Sequence, residues 1–407
     1  TTYDALDRPV AITDPAATLT FAHDAALDLT SVVTQPTGRA ANRLDYAHDA
    51  AGRLVSTSEI GADLSARSQT VLTRDAAGRV TRTRQTIAGD PAGREVNVGH
   101  DAADRVTSIT RGPIDAAPLV TTSLGYDVRD RLTTLSHAGP SGPLSSYAYT
   151  YDVFGQLTSE TNATPGGGSV EYDYDLSGQL TEVSGARNRS YEHDANGVRL
   201  VSPTDVVDGG NRLVWSGSKQ FAYDAVGNTQ MIADVATGQT RYFDFDHRNR
   251  LVAAELRNGQ SQVIASASFV YDALDRRIGV VEDADGAGPG AAVATWTAFD
   301  GGQAWSDSDG AGAVQTRYLS GPAVDALLAR ADASGETDWY WTDRLGSVRQ
   351  VADDSGASIF QAWFDEYGDE TSSSGSGGDR FGFTGRDGLE ALGLQWNRAR
   401  YYLPEDG

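Results

Sequence analysis

The chain has 407 residues, 33 Lys+Arg against 56 Asp+Glu, a formal net charge of −23 and no cysteine. The acidity excludes a nucleic-acid-binding surface, which needs clustered Lys and Arg to neutralise phosphates. The missing cysteines exclude a disulfide framework, thiol catalysis and thiolate metal sites, without fixing a redox compartment.

From the N-terminus onward the chain repeats itself. YDALDR stands at 3–8 and again at 271–276, HDAAGRL at 48–54, RDAAGRV at 74–80, HDAADRV at 100–106, YDVRDRL at 126–132 and YDLSGQL at 174–180. Twelve copies anchor on Asp4, Asp24, Asp49, Asp75, Asp101, Asp127, Asp152, Asp175, Asp194, Asp224, Asp246 and Asp272, spaced 19 to 30 residues apart and most often 25 or 26. That period belongs to repeat architectures.

Three residues after the aspartate stands glycine in six copies (Gly52, Gly78, Gly155, Gly178, Gly197, Gly227), Asp or Asn in five more, and Leu27 once. Gly, Asn and Asp tolerate a positive φ, so the column reads as a left-handed turn position. The leading carboxylate is expected to accept hydrogen bonds from turn amides two and three residues on. The paired columns Asp49/Gly52, Asp75/Gly78, Asp152/Gly155, Asp175/Gly178 and Asp224/Gly227 are therefore structural turn sites, built on a hairpin with a left-handed residue and a bulge. Aromatic and β-branched residues precede each turn, and Leu or Val alternating with Ser and Thr follows it, which is the pattern of strands. Residues 1–290 read as an array of hairpins, none able to bury its apolar face alone. A sheet so long must twist and curl, and an uncovered edge at residues 1–20 would invite self-association.

The chemistry-bearing residues favour a bland reading. His23, His48, His100 and His193 occupy the slot where other copies carry tyrosine, and His137 and His247 have no partner at ligand spacing; no zinc site is expected. EDADGAGPG (282–290) and DSDGAG (307–312) resemble pieces of calcium loops without completing one, and read as hairpin turns. No hydrolase, zincin or nucleotide fingerprint occurs, and no catalytic residue, cofactor or metal is assigned. Aromatics alternating with Arg and Asp could also bind sugar.

After Asp272 the repeat fades, and five of the seven tryptophans lie from Trp305 onward. A short helix is expected near 323–331, and TSSSGSGGD (371–379) reads as a flexible surface loop. Residues 291–407 are expected to form terminal strands and an end unit that seals the array.

The Y-D-x-x-G-R-L units resemble the YD repeats of the RHS family, and the words DRLGSVR (343–349), FDEYG (364–368), FTGR (383–386) and NRARYY (397–402) resemble the RHS-associated core. The core-motif residues are Asp343, Arg344, Leu345, Gly346, Arg349, Gly385, Arg386, Arg400, Tyr401 and Tyr402. This family includes bacterial polymorphic toxins, the C component of insecticidal toxin complexes, and teneurins. The resemblance implies an all-β, spiral or partly hollow shell, closed at the C-terminal end by the core. It implies a secreted or cell-surface bacterial protein that holds its own C-terminal toxin segment until a delivery or secretion component releases it. In toxin members the core is an aspartyl self-protease, whose two aspartates lie in D-P-x-G motifs after the R-Y-Y-x-P-x-x-G stretch. Those motifs would fall beyond Gly407, Leu403 stands where aspartate is common, and this chain is expected to be catalytically silent. Two other readings stay open: an adhesion or carbohydrate-binding scaffold without cargo, and part of a self-protease. No run approaches the ~18–20 apolar residues of a transmembrane helix, and no signal peptide stands at the start. With Thr1 first and Met231 the sole methionine, the chain is expected to be a piece of a longer polypeptide.

Overall fold

Hairpin follows hairpin along the whole chain. The computed structural model describes all residues except 165, 201, 203, 322–325 and 407. A first antiparallel sheet runs from Thr2–Tyr3 to Arg189–Ser190 in 17 strands, each paired with the next in sequence. A second runs from Val206–Val207 to Glu370–Gly375 in 16 strands, in the same order. Among the described residues no pairing joins the first strand of either sheet to its last, so each is an open meander. The pairing passes unbroken through Arg277–Asp283 and Val293–Asp300, with residue 290 in the connecting loop.

The twelve aspartate turns read from the repeat fall on one edge of their sheets, and from Asp309 onward the second sheet carries such turns on both edges. Beside most of them the pairing register slips by one residue, as between Ala47 and His48, Thr73 and Arg74, or Val270 and Tyr271. A bulge at each turn raises the local twist, and repeated along the ribbon it bends the sheet consistently.

The two sheets meet in ascending order along the chain. Tyr46 donates to Asp300, Glu59 pairs with Arg317, Gln85 donates to the Tyr318 carbonyl, Arg94 to Thr337, Arg111 to the Tyr340 carbonyl and Arg187 to Glu366. Partners that advance together at such long separations describe a second turn of ribbon winding beside the first. The seam is buried: Val96, Val98 and Val120 of the first sheet pack with Leu319, Ala329, Trp339, Trp341 and Ala352 of the second. Each such aliphatic side chain contributes about 1.5–3 kcal/mol.

Two expectations are corrected here. Leu327–Asp332 is a strand, where a helix was expected over 323–331; residues 323–325 lie outside the described residues. Leu327, Leu328, Ala329 and Ala331 are all buried, and a strand buried on both faces gives the continuous apolar run that also suits a helix. Residues Glu370–Gly375 form the last strand of the second sheet, not a flexible loop. Their side chains are exposed, and backbone pairing to Ser358–Phe364 holds them regardless of composition.

Residues 379–406 form an end-piece. Three short strands, Asp387–Leu389, Leu394–Trp396 and Tyr401–Tyr402, pair antiparallel. Leu389, Leu392 and Leu394 pack against Ile232, Phe243, Ala265, Ala267 and Phe269, on one face of the second sheet. Two 3-10 turns, Phe383–Gly385 and Glu390–Leu392, are the only helical elements among the described residues, and none is long and apolar enough to cross a membrane.

Candidate functional site

The repeated turn is a closed hydrogen-bond circuit. At Asp49 the backbone amide donates to the Arg53 carbonyl, and the Gly52 amide donates to the Asp49 carbonyl. One carboxylate oxygen, Asp49 Oδ1, accepts from Ala51 and Arg53 at 2.9 and 3.0 Å. The carboxylate thus takes amides two and four residues on; the third amide goes to the backbone. Asp75, Asp152, Asp175 and Asp224 repeat this circuit. Gly52, Gly78, Gly155, Gly178 and Gly227 all have φ between +72° and +101°, and Leu27 is left-handed as well at +77°.

Arginine joins one turn to the next. Arg105 donates from Nε to Asp101 Oδ2 at 2.7 Å and from Nη1 to the Asp127 carbonyl and Asp130 of the following repeat. Its guanidinium lies 5.0 Å from the Tyr126 ring, whose hydroxyl donates back to the Val106 carbonyl at 2.8 Å. Arg131 with Tyr151 and Arg250 with Tyr271 repeat the arrangement. Each Tyr-Asp…Arg word therefore bonds within its own hairpin and across to its neighbour.

The same turn continues where the repeat could not be read: Asp208, Asp309, Asp332, Asp343, Asp353 and Asp365 all close it. Among these, Asp343 is one of the core-motif residues. Its Oδ1 accepts from Leu345 and Ser347, Gly346 is left-handed at φ +80°, and Oδ2 lies 3.5 Å from Arg349 Nη1. Burial pushes the Asp343 carboxyl up, against the pull of Arg349. Arg349 is buried over the Trp363 ring, the Arg344 guanidinium lies over the Tyr149 ring at 5.9 Å, and Leu345 is exposed. These five residues form one hairpin of the wall.

The remaining core-motif residues lie apart, in the end-piece. Gly385 is buried with φ +66° in the turn whose Arg386 carbonyl accepts from Gly382. Arg400 is exposed at the last hairpin, Tyr402 donates to the Tyr367 carbonyl at 2.7 Å, and Tyr401 contacts Tyr271. Tyr401 leads into an ion network absent from the expected site. Arg277, 2% exposed, pairs with Asp387 at 2.5 Å, contacts the Tyr401 hydroxyl at 3.2 Å and stacks on Trp396. Arg380 bridges Asp387 and Asp307, and Asp307 also accepts from Thr297 and Tyr318 at 2.7 Å each. Burial alone would pull Arg277 down, but Asp387 and Tyr401 hold its guanidinium above the ordinary value. A second node joins Arg330, Asp379 and Tyr340. Asp307 and Asp387 were within reach of sequence: one lies in DSDGAG and the other directly follows FTGR.

Of the calcium-like words, Asp307 belongs to the ion network, and Asp283, Asp285 and Asp309 are taken by turn hydrogen bonds. Asp283 accepts from Gly286, Asp285 from Gly290, and Asp309 from Ala311 and Ala313. His137 lies in the seam between Thr122 and the Thr342 carbonyl, stacked with Trp341. The site can hold the end-piece against the second sheet; among the described residues it lines up no nucleophile, base and orienting group.

The comparisons agree with this architecture. The teneurin YD-shell family matches residues 151–287. The toxin protein Tse5 of Pseudomonas aeruginosa is 26% identical over 323 residues, covering 64% of this chain and 24% of that protein. In the Photorhabdus luminescens Tc holotoxin pore a chain of the same fold aligns with a TM-score of 0.70 at 15% identity, covering 98% of this chain and 22% of its own length. A TcdB2–TccC3 complex aligns with a TM-score of 0.66 at 16% identity, over 98% of this chain and 22% of that one. The chain spans about a quarter of the length of these relatives. In its hairpin ladder, its spiral meander and these likenesses, the chain resembles the RHS/YD-repeat family.

Proposed function

We propose that this chain is a wall segment of a shell that encloses a toxic effector segment of the same polypeptide before delivery. The observation that carries the reading is the end-piece: a ribbon that only had to present an outer surface would not need 28 residues fastened across one sheet face by buried arginine–aspartate pairs. Fold likeness to a Tc toxin component and sequence similarity to Tse5 support a toxin-associated role. The turn ladder, Asp49/Gly52 and its copies, together with the Asp343–Arg349 hairpin, builds the wall. Gly385, Arg386, Arg400, Tyr401 and Tyr402 belong to the piece that covers its face. No residue of this chain is given a catalytic role, cofactor or metal. Release to the outside of a bacterial cell, through a secretion or delivery component, completes the reading.

The test uses the natural full-length product, purified natively. Size-exclusion elution is compared with a denaturing gel and intact masses. Two polypeptides that co-elute and separate only on denaturation are the expected result. A single polypeptide with nothing retained would overturn enclosure and leave an open scaffold.

A further inference from the structure

Between the turn edge of the second sheet and the last hairpin of the end-piece lies a cavity of about 410 Å³. Its size is in the range of small-molecule sites, ~300–1,000 Å³. Phe243, Phe245, Leu251, Tyr271, Leu394, Tyr401 and Leu403 supply an apolar and largely aromatic lining. Four arginines, Arg248, Arg250, Arg398 and Arg400, line it against one acid, Asp275. The whole chain has the opposite balance, 33 Lys+Arg to 56 Asp+Glu, so this is a local reversal of sign. A concave, low-dielectric wall concentrates such a field on whatever enters.

The arginines are not equivalent. Arg250 is committed to the ladder, with Asp246, the Asp272 carbonyl and Asp275 as partners. Arg248 meets only the shared Asp275, at 2.8 Å, and its side chain is 38% exposed. Arg400 is exposed. Arg398 is held in a left-handed conformation, φ +62°, within the Asn397–Arg400 turn. A non-glycine residue there costs about 1 kcal/mol or more and commonly marks a site where the side chain's placement matters. Guanidinium groups match the planar or tetrahedral oxygens of carboxylates and phosphates, and aromatic walls take flat apolar bodies.

We propose that this cavity binds a small anion with a planar apolar body, its charged group held by Arg248 and Arg400 and its body against Phe245 and Tyr401. The site is independent of whether the shell encloses an effector, because both walls belong to this chain. Asp275 sets the selectivity: it repels the ligand unless the anionic oxygens displace it from Arg248.

Isothermal titration of the intact chain with phenyl phosphate tests the assignment, with inorganic phosphate and benzyl alcohol as the charge-only and ring-only probes. Phenyl phosphate should saturate a single site and bind about tenfold or more tightly than either fragment. Arg400→Gln, an exposed position that leaves the fold intact, should weaken phenyl phosphate about tenfold, as loss of a charge-assisted hydrogen bond does. Phe245→Leu should weaken it severalfold, and Arg129→Gln, at an exposed turn of the first sheet, should leave it unchanged. No saturable binding, inorganic phosphate binding as tightly as phenyl phosphate, or equal losses in Arg129→Gln and Arg400→Gln would each overturn the proposal.

Discussion

Single residues in this molecule are selected by backbone geometry and burial more than by chemistry. Leu27 shows how far the backbone dominates: the turn holds it left-handed although an aliphatic side chain resists that conformation. His137 is the clearest case for burial. It was noted in the sequence only as lacking a ligand partner; in the structure it is 2% exposed, in the seam beside Trp341. Burial, and next the Arg111 guanidinium, pull its imidazole down to about 3. The unfolded chain takes up that proton near pH 6.5, so between pH 6.5 and about 3 it binds more protons there than the folded chain. The neutral histidine therefore supports the fold fully above pH 6.5, and its support declines as pH falls, by about 1.4 kcal/mol per unit. His137→Gln keeps a donor and an acceptor for Thr342 and Thr122 but does not titrate. Urea midpoints at pH 7, 5.5 and 4.5 should show the parent losing ground to the variant as acidity rises. A midpoint difference that stays constant over that range would remove His137 as the cause.

At the level of the hairpin, the cooperating unit is one turn plus its successor. Arg250 reaches forward only: it pairs with Asp246 of its own turn, then with the Asp272 carbonyl and Asp275 of the next, over the Tyr271 ring. Arg250→Lys keeps the charge but loses the planar fork and the stacking. Amide exchange should quicken about tenfold in the 246–250 and 272–276 turns and stay unchanged in the preceding 224–228 turn. An effect confined to 246–250 would show that the turns are independent. This forward bond also explains what could be read from sequence. Where Tyr, Asp and Arg or Gly occur together, as at 126–131 or 271–276, the hairpin is legible. Asp309, Asp332 and Asp353 close the same turn on the opposite edge of the second sheet, without a preceding aromatic or a following arginine, and nothing but the aspartate–glycine spacing announces them. Leu327–Asp332 and Glu370–Gly375 were misread for opposite reasons. The first is apolar on both faces because it is buried on both; the second is Ser/Gly-rich because its pairing needs no side chains.

For the whole molecule, the decisive contacts join residues that no local pattern connects: Arg94 with Thr337, Arg111 with Tyr340, Arg277 with Asp387. Of these, the Arg277–Asp387 pair fixes how the end-piece sits on the sheet. Both side chains are almost fully buried, so the Coulomb gain is offset by desolvation, and the pair as a whole contributes little net stability. Its value lies in position: Arg277 can be satisfied only if Asp387 docks there. Removing one partner is therefore costly while removing both is not. Asp387→Asn leaves Arg277 with the Tyr401 hydroxyl and the Trp396 ring, and Arg380 with Asp307. It should cost about 3 kcal/mol or more and make residues 379–406 the first site of limited proteolysis. The double substitution Arg277→Met with Asp387→Leu should recover most of that stability, because apolar groups of similar volume replace the buried charges. Asp307 then still holds Arg380, so part of the docking specificity survives in the double variant. If Asp387→Asn is no more protease-sensitive than the parent, the apolar contacts of Leu389, Leu392 and Leu394 alone hold the end-piece, and the ion network follows docking instead of directing it.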